Sequence, residues 1–382
     1  MKEIIYLDNA ATTKPRKEVV AVVEKAMLEN YGNASSAHAL GEKAFEVLKK
    51  AKEEIAKEIN CKPHEIYFTS GGTEADNTAI LGIVEANQDK KKNKVIISSI
   101  EHAAVYEPCM ILKRRGYNVV EMSTNKEGMV DMNELEKEID KKTIIVSIMH
   151  VNNEIGSVQN LERIGELCKS KGAIFHSDCV QSFRKLKIDV KKYNLNAISA
   201  SGHKIHGPKG IGFIYLKEGT NIKPLIYGGG QEKGLRSGTE NIPSVAGFSR
   251  AIELMKKTRT ERIRKLKNKL ANGLKELGAK INSNLDENGI YNLLSVSFPE
   301  LDADNLVIFL SNEGIMCSTG SACSEKSKEQ SRTLKSIGLT DKESRGTIRF
   351  SLSEENNEKE IDKVINKIRL GLQKEKIIDG IR

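Results

Sequence analysis

No apolar run among the 382 residues approaches the roughly 20 that a membrane-spanning helix needs, so the chain is not expected to enter a bilayer. The opening residues, Met1-Lys2-Glu3-Ile4-Ile5-Tyr6, lack the apolar core and cleavage site of a secretory leader, and a cytoplasmic protein is expected. Cysteine is sparse: six residues, at 61, 109, 168, 179, 317 and 323, with no C-x-x-C pair and no Cys/His cluster at zinc spacing. The reading is free thiols in a reducing compartment, with no metal site expected. Internal repeats and low-complexity linkers are missing as well. One sign of charge is in excess, a formal +9, but acids are mixed with the lysines throughout, apart from local runs at Lys90-Lys91-Lys92 and from Lys256 to Lys269. Such mixing describes solvated helix faces, and direct nucleic-acid binding is not expected.

What is present is a globular composition, 38% hydrophobic and 30% charged, over a length that implies two domains or a large domain with a smaller companion. A short N-terminal strand runs into Asp8-Asn9-Ala10-Ala11-Thr12-Thr13, and Pro15 opens a helix with Val19, Val22, Val23 and Ala26 at helical spacing. After the small polar loop 31–38, a helix over 41–59 places Phe45, Leu48, Ala51, Ile55 and Ile59 on one stripe. Residues 65–70 form a buried strand that Gly71-Gly72-Thr73 turns into a helix ending near Val84. Strand, glycine turn and helix start aim free N–H groups and the positive end of the helix dipole at one point, which suits a phosphate. No G-K-[ST] follows, so this is not a Walker loop.

Further strands are predicted over 94–100, with Glu101-His102 at the carboxyl end, over 143–150, and over 173–178, ending on Asp178 with Gln181 three residues on. A helix over 161–171 separates the last two. This rhythm argues for a mostly parallel sheet covered on both faces, which binds ligands at the carboxyl ends of its strands. One more strand precedes Lys204, another covers 210–216, and the glycine-rich loop 228–241 is long enough to reach another subunit. Residues 245–277 read as one lysine-rich helical stretch. Beyond it the character changes to α+β: a strand over 293–298, a helix over 304–312, the cysteine-bearing segment 314–324, a strand over 346–352 carrying Arg349, and a closing helix.

Lys204 stands in Ser201-Gly202-His203-Lys204-Ile205-His206-Gly207-Pro208-Lys209-Gly210, at the end of an apolar segment and among small residues and two histidines. A lysine that is partly desolvated or crowded by cations gives up its proton, as imine chemistry with a carbonyl requires. The decapeptide alone also fits a surface lysine whose glycines end a strand. The rest of the chain decides: Asp178 ends an apolar strand where an unpaired carboxylate is costly, so a cationic partner is expected, and a protonated ring nitrogen is one candidate. Pyridoxal 5′-phosphate needs a lysine for its aldehyde, a carboxylate for its pyridinium, a stacking partner and a cluster of phosphate donors, and each has a candidate here.

The motifs Y-L-D-N-A-A-T-T, S-G-G-T-E-A-D-N, E-H, H-V-N-N-E-I-G, H-S-D-x-V-Q, S-G-H-K-I-x-G-P-K-G, R-S-G-T-E-N, S-x-G-S-A-C and I-R-F-S-L occur in one order from Tyr6 to the closing helix. In them the chain resembles the NifS/IscS-type cysteine desulfurases of the class V aminotransferase group. The resemblance implies the α/β fold-type I architecture of pyridoxal-phosphate enzymes, with a large cofactor domain over 15–250 and a small domain from 1–14 and 251–382. It implies that Lys204 carries the cofactor imine and moves the Cα proton, that Asp178 pairs with the pyridinium, that Gln181 bonds the ring O3′, and that His102 stacks and helps proton transfer. Gly72, Thr73, Ser201 and His203 would hold the phosphate, joined by Thr239 of the neighbouring subunit of a homodimer; Asn33, Asn153 and Arg349 would meet the substrate, with Asn153 also against the cofactor.

The same resemblance makes Cys323 the thiol that takes sulfur from L-cysteine as a persulfide, leaving L-alanine, before passing it to an acceptor protein for iron–sulfur assembly or tRNA thiolation. A selenocysteine lyase or another class V enzyme is the alternative, and Cys323 argues against an aminotransferase. Some positions depart from the usual pattern: Cys179 stands for alanine, Arg184 for glycine and Ala34 for proline, and Cys317 is an additional thiol. Longer members carry a tail after the last helix that meets an iron–sulfur scaffold, whereas here the sequence stops at Arg382, which leaves the acceptor open.

Overall fold

The computed structural model describes residues 4–88, 91–255, 259–299, 301–320 and 330–379, and side chains as far as 373. In chain order its strands are β1 (Ile5–Tyr6), β2 (Ile66–Thr69), β3 (Lys94–Ser98), β4 (Asn118–Met122), β5 (Thr143–Ser147), β6 (Ile174–Asp178), β7 (Ala197–Ser201), β8 (Gly212–Leu216), β9 (Lys280–Ile281), β10 (Leu293–Ser297), β11 (Ile315–Met316), β12 (Ser318–Thr319) and β13 (Thr347–Ser351). Seven of them form one sheet in the order β2-β8-β7-β6-β5-β3-β4. Only β8 runs against its neighbours; the remaining pairings are parallel. A parallel sheet wound this way is covered on both faces, which is why β3, β5 and β7 are buried along their whole length.

Alternate residues of each strand feed two cores. Ile96, Val146, Phe175, Ile198 and Phe213 meet the helices Ala39–Ile59, Leu161–Lys171 and Ile242–Met255 on one face. Val95, Ile97, Ile145, Ala197 and Ile214 meet the helical run that starts at Gly72 and the helix Ala103–Arg114 on the other. Local signals set the helix ends: the Asn160 carboxamide accepts the Arg163 N–H at 3.1 Å and Gly172, at φ 70°, closes the helix Leu161–Lys171. The stripe read into the helix Ala39–Ile59 needs one correction. Ala44, Leu48, Ala51, Ile55 and Ile59 are buried, whereas Phe45 lies one residue off the stripe and is 52% exposed.

A third core gathers Ile5 and Leu7 with Leu294, Val296, Ile315, Ile348, Phe350, Ile361 and Val364. Its four-stranded sheet, β12-β13-β10-β9, is antiparallel, and β1 pairs in parallel with β11. The N-terminal segment therefore joins the C-terminal part of the chain. The single helical stretch read over 245–277 is two helices, Ile242–Met255 and Thr260–Glu276, with Arg259 outside the helical region at φ −89°, ψ 75°. The first buries Phe248 and Ile252 in the large-sheet core and the second buries Ile263 and Leu270 in the other, so one straight axis cannot serve both. The edge strand β4 and the two-residue strands β9, β11 and β12 went unread because they are short or partly exposed. No helix among the described residues is long and apolar enough to cross a membrane.

Candidate active site

Lys204, Asp178 and His102 come together at the carboxyl edge of the large sheet, where β7 gives way to the turn Gly202–Lys204. That turn is tight: a Cβ on Gly202 would stand 2.9 Å from Ile211 Cγ2 and 3.1 Å from the Pro208 carbonyl oxygen. It points Lys204 at the N-terminal segment, where Nζ donates to the Ala10 carbonyl at 2.6 Å and the Ala11 carbonyl at 2.7 Å. The two acceptors fix the amine beside the sheet edge while β1 ties their segment to the smaller sheet system.

Asp178 ends β6 and is 5% exposed, with Oδ1 accepting the Val180 N–H at 2.8 Å. Burial pushes its carboxyl above the ordinary range, and the charges pulling it back are His102 and Lys204. His102 lies just beyond β3 and caps the helix Ala103–Arg114, its Nδ1 accepting the Ala104 N–H at 3.1 Å. With Nδ1 an acceptor, the neutral ring carries its proton on Nε2. Burial lowers the His102 pKa, Asp178 raises it, and Lys204 and Arg332 lower it further. The lysine, acid and imidazole expected from sequence thus share one electrostatic field.

The supporting positions cluster around them. Gln181 Nε2 donates to the same Ala10 carbonyl at 2.8 Å. His203 Nδ1 lies 3.2 Å from Thr12 Oγ1, and burial first, then Lys204, Lys209 and Lys185, push it down to about 4. Gly72 opens its helix where no side chain fits: a Cβ would stand 2.5 Å from Val180 Cγ2 and 3.8 Å from Ser201 Cβ. Thr73 beside it is exposed. Arg349, buried on β13, donates from Nη1 to the Asn153 carbonyl at 2.9 Å and pairs through Nη2 with Asp8 at 3.0 Å, leaving its buried Nε without a partner. Asn33 and Thr239 stand in exposed loops, and the Asn33 carboxamide accepts the Ser35 N–H of its own turn. Cys323 lies outside the described residues. Of the departures noted above, Arg184 takes a left-handed φ of 62° and pairs with Glu58, and burial pushes the Cys179 and Cys317 thiols up to about 12.

Sequence reasoning missed four participants. Asp8 is the Arg349 counter-ion, and its signal was an acid in Y-L-D-N directly after β1. Arg332 donates to the Glu101 carbonyl at 2.9 Å and stacks 3.3 Å above the Tyr106 ring. Lys185 donates to Gln181 Oε1 at 3.2 Å. Below the edge, the fully buried His176 bonds Ser147 at 2.8 Å and Ser199 at 3.0 Å and stands 3.6 Å from Asp76.

The donor set fits pyridoxal phosphate. A buried carboxylate lies in the field of an amine and an imidazole, and a helix begins at a glycine whose absent side chain lets its backbone come close to Val180 and Ser201. By fold this is an α/β enzyme of the fold-type I architecture. The family model described as Aminotransferase class-V matches residues 5–364, and the chain belongs to that family. It is 40% identical over 373 residues, 97% of this chain and 92% of the relative, to a protein of Methanosarcina thermophila named "Cysteine desulfurase IscS". Among solved structures, a "NIFS-like protein" superposes with a TM-score of 0.91 at 38% identity, covering 98% of this chain and 100% of its own. Another, titled "SspA in complex with cysteine", gives 0.82 at 35% identity over 92% and 99%.

Proposed function

We infer that this chain is a pyridoxal-phosphate-dependent cysteine desulfurase that converts L-cysteine to L-alanine and takes the sulfur onto Cys323. The observation that carries the reading is the meeting of Lys204, Asp178 and His102 at one sheet edge, in a family member that is similar along its length to a cysteine desulfurase. When bound, the cofactor supplies an electron sink for the substrate's Cα. Lys204 holds its aldehyde and moves the Cα proton at Nζ. Asp178 holds the ring nitrogen's positive charge in a setting that water does not screen. His102 would stack on the ring, with its exchangeable proton on Nε2. Gly72, Thr73, Ser201 and His203 hold the phosphate, Gln181 bonds the ring oxygen, and Asn33 and Asn153 border the substrate. Arg349 takes the substrate carboxylate with its planar fork, a role that the vacant Nε and the exchangeable Asp8 pairing support.

The sulfur step balances without an outside oxidant. The Cys323 thiolate attacks the substrate sulfur, the C–S bond breaks with its electron pair staying on carbon, Cβ takes a proton, and an S–S bond forms on the enzyme. A persulfide and L-alanine are the products, and a sulfur-acceptor protein for iron–sulfur assembly or tRNA thiolation then unloads the enzyme. We place the reaction in the cytoplasm, in a homodimer that brings Thr239 to the other subunit's phosphate site. The apolar side chains Met27, Leu28, Tyr31 and Tyr227, each more than 60% exposed, support such a contact. We take residues 15–250 as the cofactor domain and 1–14 with 251–382 as the smaller one, a division that the separate third core supports except at Ala251, Ile252 and Met255, which pack in the large-sheet core.

The test is turnover of L-cysteine by the loaded protein, read as alanine and sulfide. Cys323→Ser should abolish alanine formation and keep the visible absorbance of the bound cofactor, and Lys204→Ala should lose that absorbance. Unchanged turnover in Cys323→Ser would remove the persulfide step, and absorbance persisting in Lys204→Ala would remove the lysine assignment.

A further inference from the structure

Behind Lys204 stands a second lysine for which the reaction above has no use. After β6 the chain coils, with the Phe183 N–H donating to Cys179 O at 2.8 Å and the Leu186 N–H to Ser182 O at 2.9 Å. One turn on from Gln181, this brings the Lys185 ammonium 3.2 Å from Gln181 Oε1. The Gln181 NH2 group donates to the Ala10 carbonyl at 2.8 Å, and the same oxygen takes Lys204 Nζ at 2.6 Å. Lys185, Gln181, Ala10 and Lys204 are therefore consecutive members of one hydrogen-bonded string. Lys185 and Lys204 also line a shared cavity of about 20 Å³, room for roughly one water.

We propose that Lys185 is a positioning residue for the cofactor site, orienting the Gln181 amide and setting a second positive charge behind Lys204. The orientation follows from chemistry. An ammonium only donates, so its partner on Gln181 has to be the carbonyl oxygen, and the one NH2 group then has an N–H on the Ala10 carbonyl and a second N–H that would be left for the cofactor's ring oxygen. The inference rests on the reading of Lys204 and Gln181 given above. The charged and titratable groups facing Lys185 are Lys204 and His203 from the adjoining turn, with His206, Tyr291 and Glu354 across the cavity; burial holds the Tyr291 hydroxyl protonated and Glu354 is already paired with Arg16. Burial first and Lys204 second push the Lys185 ammonium down to about 7, so the second charge is present below about pH 7 and fades above it.

The experiment is a pH titration of the bound cofactor's visible absorbance in wild type, Lys185→Met and Lys185→Arg. Removing a nearby positive charge favours protonation of the cofactor's lysine-linked nitrogen, so Lys185→Met should move the midpoint up by about one unit. Lys185→Arg, which keeps charge and donor, should stay at or below the wild-type midpoint. A Lys185→Met midpoint equal to wild type overturns the proposal, and so does an equal upward shift in both variants, which would assign the side chain to packing alone. If Lys185→Met does not accumulate as folded protein, Lys185→Gln is read by the same criteria. Wild-type protein that acquires no visible absorbance with pyridoxal phosphate sinks the cofactor reading itself, an outcome separate from any Lys185 result on loaded protein.

Discussion

Substituting Gly72 by alanine tests the phosphate site through a single methyl group. The added Cβ would lie 2.5 Å from Val180 Cγ2, whereas apolar carbons rest about 3.5–4.0 Å apart, so about 1 Å or more has to be absorbed. Val180 is β-branched and its χ1 is stiff, so the strain passes to its backbone. That backbone N–H donates to Asp178 Oδ1 at 2.8 Å, and pulling it away strips a hydrogen bond from the carboxylate assigned to the ring nitrogen. Overpacking costs about 1–3 kcal/mol, and a hydrogen bond to a charged group is worth about 1.5–3 kcal/mol. Even the low end weakens cofactor binding about tenfold, since 1.4 kcal/mol is about a factor of ten. The assay is titration of apo-protein with pyridoxal phosphate for Gly72→Ala, Val180→Ala and the double variant. Val180→Ala removes the clashing methyl, so the double variant should recover most of the lost affinity, a coupling that a double-mutant cycle isolates. Wild-type affinity in Gly72→Ala, or no recovery in the double variant, would refute the steric argument.

Two further outcomes are expected. Glu101, with its carboxyl pushed up to about 8 by burial, stays protonated in the fold while the unfolded chain ionises near the ordinary glutamate value of 4.5. Its contribution to stability is therefore present below about pH 4.5 and lost as pH rises to about 8. Glu101→Gln removes that loss, so its melting temperature relative to wild type should climb between pH 5 and pH 8; a difference independent of pH would contradict the assignment. Arg349→Lys keeps the charge but cannot span the Asn153 carbonyl, Asp8 and a substrate carboxylate at once. Its KM for L-cysteine should rise about tenfold or more, the equivalent of one charge-assisted hydrogen bond, and an unchanged KM would remove Arg349 from the substrate site.

The large sheet was legible because a doubly covered parallel strand is apolar from end to end: residues 143–147 and 197–201 announce themselves without any partner in view. β4 did not, since an edge strand keeps Asn118 and Glu121 in solvent and its apolar signal is halved. Lys204, Asp178 and His102 were legible from their places at strand ends and from the motifs around them. Asp8, Lys185 and Arg332 were not. Asp8 and Arg332 act through contacts across long sequence separations, such as Asp8 to Arg349, that no local spacing encodes, and the local bond from Lys185 to Gln181 gains its meaning only from the distant Ala10 carbonyl that Gln181 shares with Lys204. The break between the helices Ile242–Met255 and Thr260–Glu276 was hidden for a related reason, because it answers to two separate cores and not to a helix-stopping residue.

Which acid serves the cofactor is the clearest case of position outranking residue type. Asp76, Glu101 and Asp178 are all buried, and each raises the pKa of at least one other or is felt by it. Three ionised carboxyls cannot share one dry region without cations to balance them. Asp76 finds only His176, 3.6 Å away and pushed down to about 3 by burial, so that ring stays neutral. Glu101 has one oxygen on Ser98 and the Met149 N–H and the other without a partner, and burial raises it well into the neutral-pH range. Among the described residues Arg332 is the countercharge that reaches it, and that guanidinium is shared with the Glu101 carbonyl and the Tyr106 ring. Asp178 alone is pulled down by both His102 and Lys204. The negative charge therefore settles on Asp178, and protonation of its two neighbours is what keeps it there: an ionised Asp76 or Glu101 would compete for the same cations and raise the energy of the carboxylate the ring nitrogen needs.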